Sequence, residues 1–494
     1  MKLTFEGSRT ADLFSRELEA SLDGIIDLMM ITDESDPNCG FCPVSLPGHP
    51  WDDTLWTRDG GTLLRELVLW GHIHEAKLLA GCLLRSVGKN ESGFRMFPMM
   101  FHINEVLAGD ELDGTGAILI GLAMLERALP DEDPFRARID AFLLDESSPV
   151  FGIFHELGRK PLVAGDGEFG GGFGNDGLFV NSVQNNLLRL AMLAVSAVFE
   201  RLGESALAGR CRETAQRIEE NILKYLTDDN GFIWAADPET MRPAETVNNH
   251  PCNYSCGLIN GIFSMTADVC GNDLSTDNFF AWDTAVRQFD NLHNQPPRAE
   301  LFDRYGIWVQ FIRFRGGATG PSYGHGYAMQ CMLLMDRMDM VDKALVYLAN
   351  ETYQPIPEFD CMQERSSPYF IYERYHCPYF VEQGETLEVG CGPLNMVCVA
   401  EPLKIGRMMA GFDCAGTVPV LHARLPESIT GYHAEDVPLL YKNSVFYADI
   451  DCHKTDSGLT YRIRVKNGVL PRLIVRTGAQ EQTLCGVTAA CVNI

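Results

Sequence analysis

WDDTLWTRDGGTLLRELVLWGHIHEAKLLAGCLLR, residues 51–85, decides the fold. A loop dense in aromatics and carboxylates gives way to Trp56-Thr57-Arg58-Asp59, a Gly-Gly pair and then an apolar helix. Leu63, Leu64, Leu67, Val68 and Trp70 recur at helical spacing, so this helix buries a broad face. Gly71 ends it, and Glu75-Ala76 opens a second helix carrying Leu78, Leu79, Leu83 and Leu84. The unit is therefore a helical hairpin, expected near 61–71 and 74–87.

The loop before it has its own chemistry. An indole stacks on the apolar face of a sugar ring, and an adjacent Arg-Asp pair fixes neighbouring hydroxyls through charge-assisted hydrogen bonds. The competing assignment is a structural ion pair beside a core Trp. His72 and His74 flank the turn and read as surface or capping groups.

The chain has 494 residues, 46% hydrophobic and 22% charged, enough for a large core and a smaller domain. Its formal net charge of -27 lacks the basic footprint that phosphate backbones and anionic lipid surfaces require. Nucleic acid and membrane partners are not expected, and a small neutral carbohydrate suits the charge. Residues 1–31 carry no basic segment leading into an unbroken apolar core, so they read as an amphipathic helix over about 10–31 and not as a signal peptide. No apolar run of membrane-spanning length is present. The 16 cysteines are scattered through apolar runs and read as reduced thiols of a cytoplasmic protein. Cys39-Gly-Phe-Cys42 and the pair Cys252, Cys256 have no second tight pair at finger-like distance, so no metal or other cofactor is assigned. Oligomeric state is left open.

Hairpins recur along the chain. A helix, a short turn, an acidic residue and an Ala-led second helix appear at 71–76, at Leu202-Gly203-Glu204-Ser205-Ala206 and at 338–344. Helices are expected near 114–129, 134–144, 178–202, 204–226, 254–270, 277–290, 305–313, 323–337, 339–350 and 393–410. Stacked hairpins imply a closed helical array or an α-solenoid. The long intervals, rich in Gly and aromatics, favour a barrel whose loops build one site. Trp308 and the row Met329, Met332, Met335, Met338 read as core.

From about residue 413 the texture changes. VPVLHARL, SVFYADIDCH, LTYRIRVKN and RLIVRTGA alternate apolar and polar residues between turn signals. We expect a barrel domain over 1–412 and a small antiparallel β domain, sandwich-like and structural, over 413–494.

A closed ring of hairpins would bring four loops to one end. They are residues 51–59, the Asp110–Gly116 stretch before a helix, the Gly-rich 165–177, and 358–388, which is dense in Tyr, Phe and Glu. Asp113 serves equally as a hydroxyl ligand or an N-cap. The last two loops both supply carboxylates from distant parts of the chain. Glycoside hydrolysis needs two such groups, one on each side of the scissile bond.

These motifs resemble those of the six-hairpin, (α/α)6-barrel glycosidase superfamily, which includes glucoamylases, trehalases, debranching glucosidases, rhamnosidases and barrel-type phosphorylases. Trp56-Thr57-Arg58-Asp59 resembles their W-x-R-D, Asp113-Gly114 their D-G before a helix, and Val180-Asn181 through Leu188 the helix after the acid-bearing loop. Gly320 to Tyr327 resembles a further substrate-facing loop, with Tyr323 and His325. The resemblance covers most of residues 10–412. It implies a mainly α fold, an (α/α)6 barrel, with Trp56, Arg58, Asp59, Asp113, Tyr323 and His325 binding substrate.

By the same resemblance the general acid is Glu168, with Asp166 and Asp176 as the other candidates. The base is Glu373, in a segment similar to the trehalase F-x-E-K/Y-Y pattern, or Glu382 in a Glu-Gln pair similar to that of glucoamylases. The implied activity is inverting hydrolysis of a terminal sugar from a small oligosaccharide or glycoside. The alternatives are an inverting phosphorylase, with Arg365 and Arg374 at the phosphate, and a non-catalytic carbohydrate-binding barrel.

Overall fold

The computed structural model describes residues 1–49, 51–89, 93–103, 105–106, 112–165, 179–229, 231–233, 235–244, 246–247, 250–251, 281–296, 298–308, 313–314, 317–318, 325–353, 396–413, 416–478 and 480–494. Its helices alternate between an inner and an outer layer. The helices are α1 (Arg9–Gly24), α2 (Thr57–Leu69), α3 (Ile73–Arg85), α4 (Leu112–Ala128), α5 (Pro134–Leu144), α6 (Pro149–Arg159), α7 (Ser182–Arg201) and α8 (Ser205–Tyr225). They continue with α9 (Trp282–His293), α10 (Arg298–Tyr305), α11 (His325–Leu334), α12 (Met338–Tyr353) and α13 (Met396–Ala410).

The inner helices follow from composition. Every residue of α4 except Arg127 is buried, which suits a helix packed on all sides. Outer helices are amphipathic. α8 buries Ala208, Cys211, Ala215, Ile218 and Ile222, a three-and-four spacing that makes one apolar stripe. α2 packs on α4, α4 on α7, α11 on α13 and α13 on α2. Behind them α3 pairs with α2, α8 with α7 and α12 with α11, while α1 covers α13 from the outside. This is an (α/α)6 barrel, in which the N-terminal helix completes the last hairpin. The expected helix at 254–270 lies outside the described residues.

Neighbouring inner helices run parallel and close together. A Cβ at Gly61 of α2 would sit 2.6 Å from the backbone nitrogen of Ile118 of α4. One at Gly116 of α4 would sit 2.9 Å from the Leu187 carbonyl carbon of α7. The Gly-Gly after Asp59 is thus a contact surface, and α2 starts at Thr57, four residues before the expected 61. Helix α6 falls in a stretch expected to be loop; Ser148-Pro149 is its N-cap and first turn. Helix α10 replaces the one expected at 305–313. Gly306, at φ 73°, ends it, so Trp308 is core without being helical, stacked on Phe289 at 4.7 Å.

The β region has two sheets. β1 (Lys2–Glu6) joins β2 (Gly431–Tyr441), β3 (Ser444–Thr455), β4 (Gly458–Val465) and β7 (Ala489–Asn493) in the order β1-β2-β3-β4-β7. The second sheet contains 412–413, 420–421, β5 (Leu470–Thr477) and β6 (Gln480–Val487). Alternation decides the faces: Leu459, Tyr461, Ile463 and Val465 of β4 point inward. β1 departs from expectation, since the first residues of the chain belong to the C-terminal sheet, with Leu3 opposite Ala434 and Phe5 opposite Tyr432. Phe5 also stacks on Phe14 of α1 at 5.8 Å, so a single strand ties barrel and sheet together.

The sheets cover the C-terminal ends of the inner helices. Arg127, at the end of α4, donates through Nε to the Lys442 carbonyl at 2.6 Å and through Nη2 to the carbonyl of Gly416. The Met1 ammonium donates to the Trp70 carbonyl just past α2 at 2.5 Å. Among the described residues no helix is long and apolar enough to cross a membrane.

Ring closure between α13 and α2 is ionic. Arg407 grips Glu66 with two hydrogen bonds, Nη2 to Oε1 at 3.0 Å and Nε to Oε2 at 3.2 Å, and both residues are buried. Burial alone would raise the Glu66 pKa, but Arg407 and Arg65 outweigh it and hold the carboxyl below its usual range. Removing one partner strands a buried charge. Glu66→Ala is therefore expected to lose about 3–5 kcal/mol of stability in a denaturant titration, and Glu66→Leu combined with Arg407→Met to recover most of it.

Candidate active site

Because the inner helices are parallel and the sheets close one end, the opposite end is formed by helix N-termini. The first turns of α2 and α4 meet there. Arg58 reaches Asp113 Oδ2 from Nη1 at 3.3 Å and lies 3.5 Å from Asp59 Oδ1 through Nε. All three are buried, at 7%, 1% and 5% exposure. The sequence spacing of Arg58 and Asp113 concealed this pairing. Parallel packing puts the second residue of each helix at the same height. Asp113 lies inside the first turn of α4, which begins at Leu112, so it is not the N-cap. Both carboxylates lie where the helix dipoles favour negative charge. Gly114 brings the helices together: a Cβ there would be 2.2 Å from Thr57 Oγ1, which is itself bonded to the Pro98 carbonyl at 2.6 Å.

Aromatics stand beside this cluster. Trp56 ends the strand Thr54–Trp56 that leads into α2, and Trp51 meets it edge-on with ring centroids 6.2 Å apart. Trp51 is 45% exposed and has φ 67°, a strained value for a bulky residue. Sequence reasoning quoted Trp51 without assigning it a role. It is an exposed ring next to a buried charged floor.

The Asn residues of the α7 motif have structural roles that shape the same end. Asn181 caps α7, accepting from Val183 N at 2.7 Å and Gln184 N at 3.3 Å. Asn185 accepts from Val163 N and donates to Val163 O, both at 2.9 Å. Gly165 then pairs with Phe179, and a Cβ on Gly165 would be 2.4 Å from Leu112 at the start of α4. The two ends of the Gly-rich segment are therefore pinned beside the N-termini of α4 and α7. Asp166, Glu168 and Asp176 themselves, like Tyr323, Glu373, Glu382, Arg365 and Arg374, lie outside the described residues. Gln184, on the first turn of α7, is 1% exposed, and among the described residues neither Oε1 nor Nε2 has a hydrogen-bond partner, a second polar group at this end that the sequence did not mark.

His325 was expected to face substrate. It is instead 1% exposed, with Nδ1 accepting from the Trp308 backbone N–H at 3.1 Å and Nε2 3.2 Å from the Ala344 carbonyl. The ring braces the start of α11 against α12, and burial pulls its pKa down to about 4. Cys39 and Cys42 are buried thiols whose pKa values burial raises, the reverse of the depressed values of thiolate ligands and redox cysteines. Cys252 and Cys256 lie outside the described residues.

No family model matches this sequence, and no curated protein matches it. Solved structures do. An α-L-rhamnosidase from Dictyoglumus thermophilum aligns over 96% of this chain and 45% of its own, at TM-score 0.54 and 10% identity. A GH78 family rhamnosidase of Bacillus sp. GL1 aligns over 97% of this chain and 42% of its own, at TM-score 0.57 and 13% identity. A putative kojibiose phosphorylase from the human microbiome aligns over 100% of this chain and 67% of its own, at TM-score 0.53 and 9% identity. The chain thus spans less than half the length of the two rhamnosidases. At such identities the likeness concerns the fold, an (α/α)6 barrel.

The neutral His325 has a measurable consequence. The unfolded imidazole, near 6.5, binds a proton that the folded one refuses until about pH 4. Stability is expected to fall as pH drops through that window, by up to about 3 kcal/mol from this group. Denaturant titrations at pH 7 and pH 4.5 measure it, and a His325→Asn variant is expected to show a shallower slope.

Proposed function

We propose that this protein is a glycoside hydrolase that removes a terminal sugar from a small oligosaccharide or glycoside with inversion. The observation that carries the reading is the buried Arg58, set between Asp59 and Asp113 beside the Trp51–Trp56 pair at the open end of the barrel. An aromatic wall beside a charged, water-poor floor suits a sugar, which offers an apolar ring face and a rim of hydroxyls. The likeness in fold to rhamnosidases supports the same substrate class.

In this reading Arg58 donates to adjacent hydroxyls of the terminal sugar while Asp59 and Asp113 accept from them and keep the guanidinium in place. Glu168, or Asp166 near it, is the general acid and protonates the glycosidic oxygen as the bond to the anomeric carbon breaks. Glu373, or else Glu382, is the base and takes a proton from the water that attacks the opposite face. Inversion asks for about 6.5–9.5 Å between the two carboxyls, room for that water. The products are the free aglycone or shortened saccharide and a sugar of inverted anomeric configuration.

Glu168→Gln and Glu373→Gln are each expected to lower kcat about 100- to 10,000-fold on an activated glycoside panel, with the fold intact by circular dichroism. Proton NMR of the first product formed is expected to show the inverted anomer. Full turnover in both variants would remove Glu168 and Glu373 from the mechanism.

Arg58→Lys keeps the charge and loses the planar fork, so kcat/KM is expected to fall at least about tenfold, with less change in melting temperature than Arg58→Ala shows. A phosphorylase reading has one observation in its favour, the full-length alignment with a putative kojibiose phosphorylase. Turnover that requires inorganic phosphate and releases a sugar 1-phosphate would select it.

A further inference from the structure

A second cleft lies at the other end of the molecule, between the β region and the C-terminal end of α11. Its volume is about 810 Å³. In a chain of net charge -27, this cleft gathers Arg424, Lys454, Arg476 and His422 on one wall system. Asp336 and Glu481 pair with the two arginines, and the charges of Asp342 and Glu427 act on Lys454. Asp336 lies 3.3 Å from Arg424 Nε, and Glu481 takes Arg476 through one oxygen, at 2.8 Å from Nη2 and 3.1 Å from Nε. Lys454 donates to the Pro426 carbonyl at 2.6 Å.

The cations are held by architecture. Arg424 and His422 lie on the strap that leads from the 420–421 strand of the second sheet towards β2 of the first. The His422 N–H donates to the Gly411 carbonyl and that of Arg424 to the Met409 carbonyl, both at 2.9 Å. Lys454 lies at the end of β3 and Arg476 at the end of β5. Three elements therefore aim positive or protonatable groups at one space. His422 is 8% exposed, and its Nδ1 has no hydrogen-bond partner among the described residues. A buried polar atom left unpartnered in a native fold needs a reason. An oxyanion supplies one, because it offers an acceptor to a ring N–H and to the neighbouring guanidinium groups together.

We propose that this cleft is a binding site for a small oxyanion of the phosphate or phosphate-monoester class. The inference does not rest on the glycosidase reading, since the cleft is at the sheet-covered end and shares no residue with the Arg58 cluster. Asp336 is 76% exposed at its side chain and Glu481 43%, so both carboxylates can swing into water as the anion takes their place. Burial, with repulsion from Arg424 and Arg476 added to it, holds the His422 pKa down to about 3. A bound anion relieves it.

Calorimetric titration of the full chain with inorganic phosphate tests the site, with glucose as a charge-free control. Saturable binding of phosphate at millimolar concentration or tighter is expected. Arg476→Gln is expected to weaken it about tenfold or more. Glu481→Gln removes the competing carboxylate and is expected to tighten it several-fold, a gain that misfolding cannot produce. No phosphate binding overturns the site. So does binding that neither substitution changes, which would place the phosphate elsewhere, a phosphorolytic centre included.

Discussion

The barrel depends on a two-pronged ion pair buried between its first and last inner helices. Glu66 and Arg407 are 341 positions apart in the chain, and neither reaches water. Taking a carboxylate and a guanidinium out of solvent is unfavourable unless each fully satisfies the other. The pair therefore tolerates one register of α2 against α13. With that register set, α4 is placed by the close approach at Gly61 and Gly114, and α7 by the approach at Gly116. The height of each helix N-terminus, and so the position of every side chain in the candidate site, follows from these contacts.

Polarity then divides the molecule. Parallel inner helices present their N-termini at one end and their C-termini at the other. The carbonyl-rich end is capped by the sheets, with Arg127 and the Met1 ammonium bonding to carbonyls at the seam. The N–H-rich end carries Asp59 and Asp113 around Arg58, with tryptophans beside them. The helix dipoles stabilise these two carboxylates at that end. The cationic cleft at the covered end has the opposite chemistry and arises from the strap and strand ends that cap the barrel.

Much of the architecture was legible in the sequence. Three helical hairpins announced themselves through repeated turns, and the change to alternating patterning after residue 413 marked the sheets. Trp56, Arg58, Asp59 and Asp113 each stood out because their motifs precede apolar helices, but the spacing did not show that Arg58 and Asp113 meet. His325 was misplaced because a Gly-rich loop and a helix start look the same whether the ring faces a ligand or a backbone carbonyl. β1 was missed because five residues of alternating pattern have no meaning until their partner, more than 400 residues away, is known. Trp51 carried no assignment in the sequence, because neither its exposure nor its contact with Trp56 can be read from spacing.

Local periodicity and turn chemistry act over a few residues, so the sequence by itself determined most of the described helices, the C-terminal strands and the apolar face each of these buries. What the tertiary structure alone decided is which distant residues share a space: Glu66 with Arg407, Arg58 with Asp113, and His422 and Arg424 with Lys454 and Arg476. Those pairings depend on packing distance and on the low polarity of the interior, where one misplaced charge outweighs many propensities, and no linear spacing encodes them.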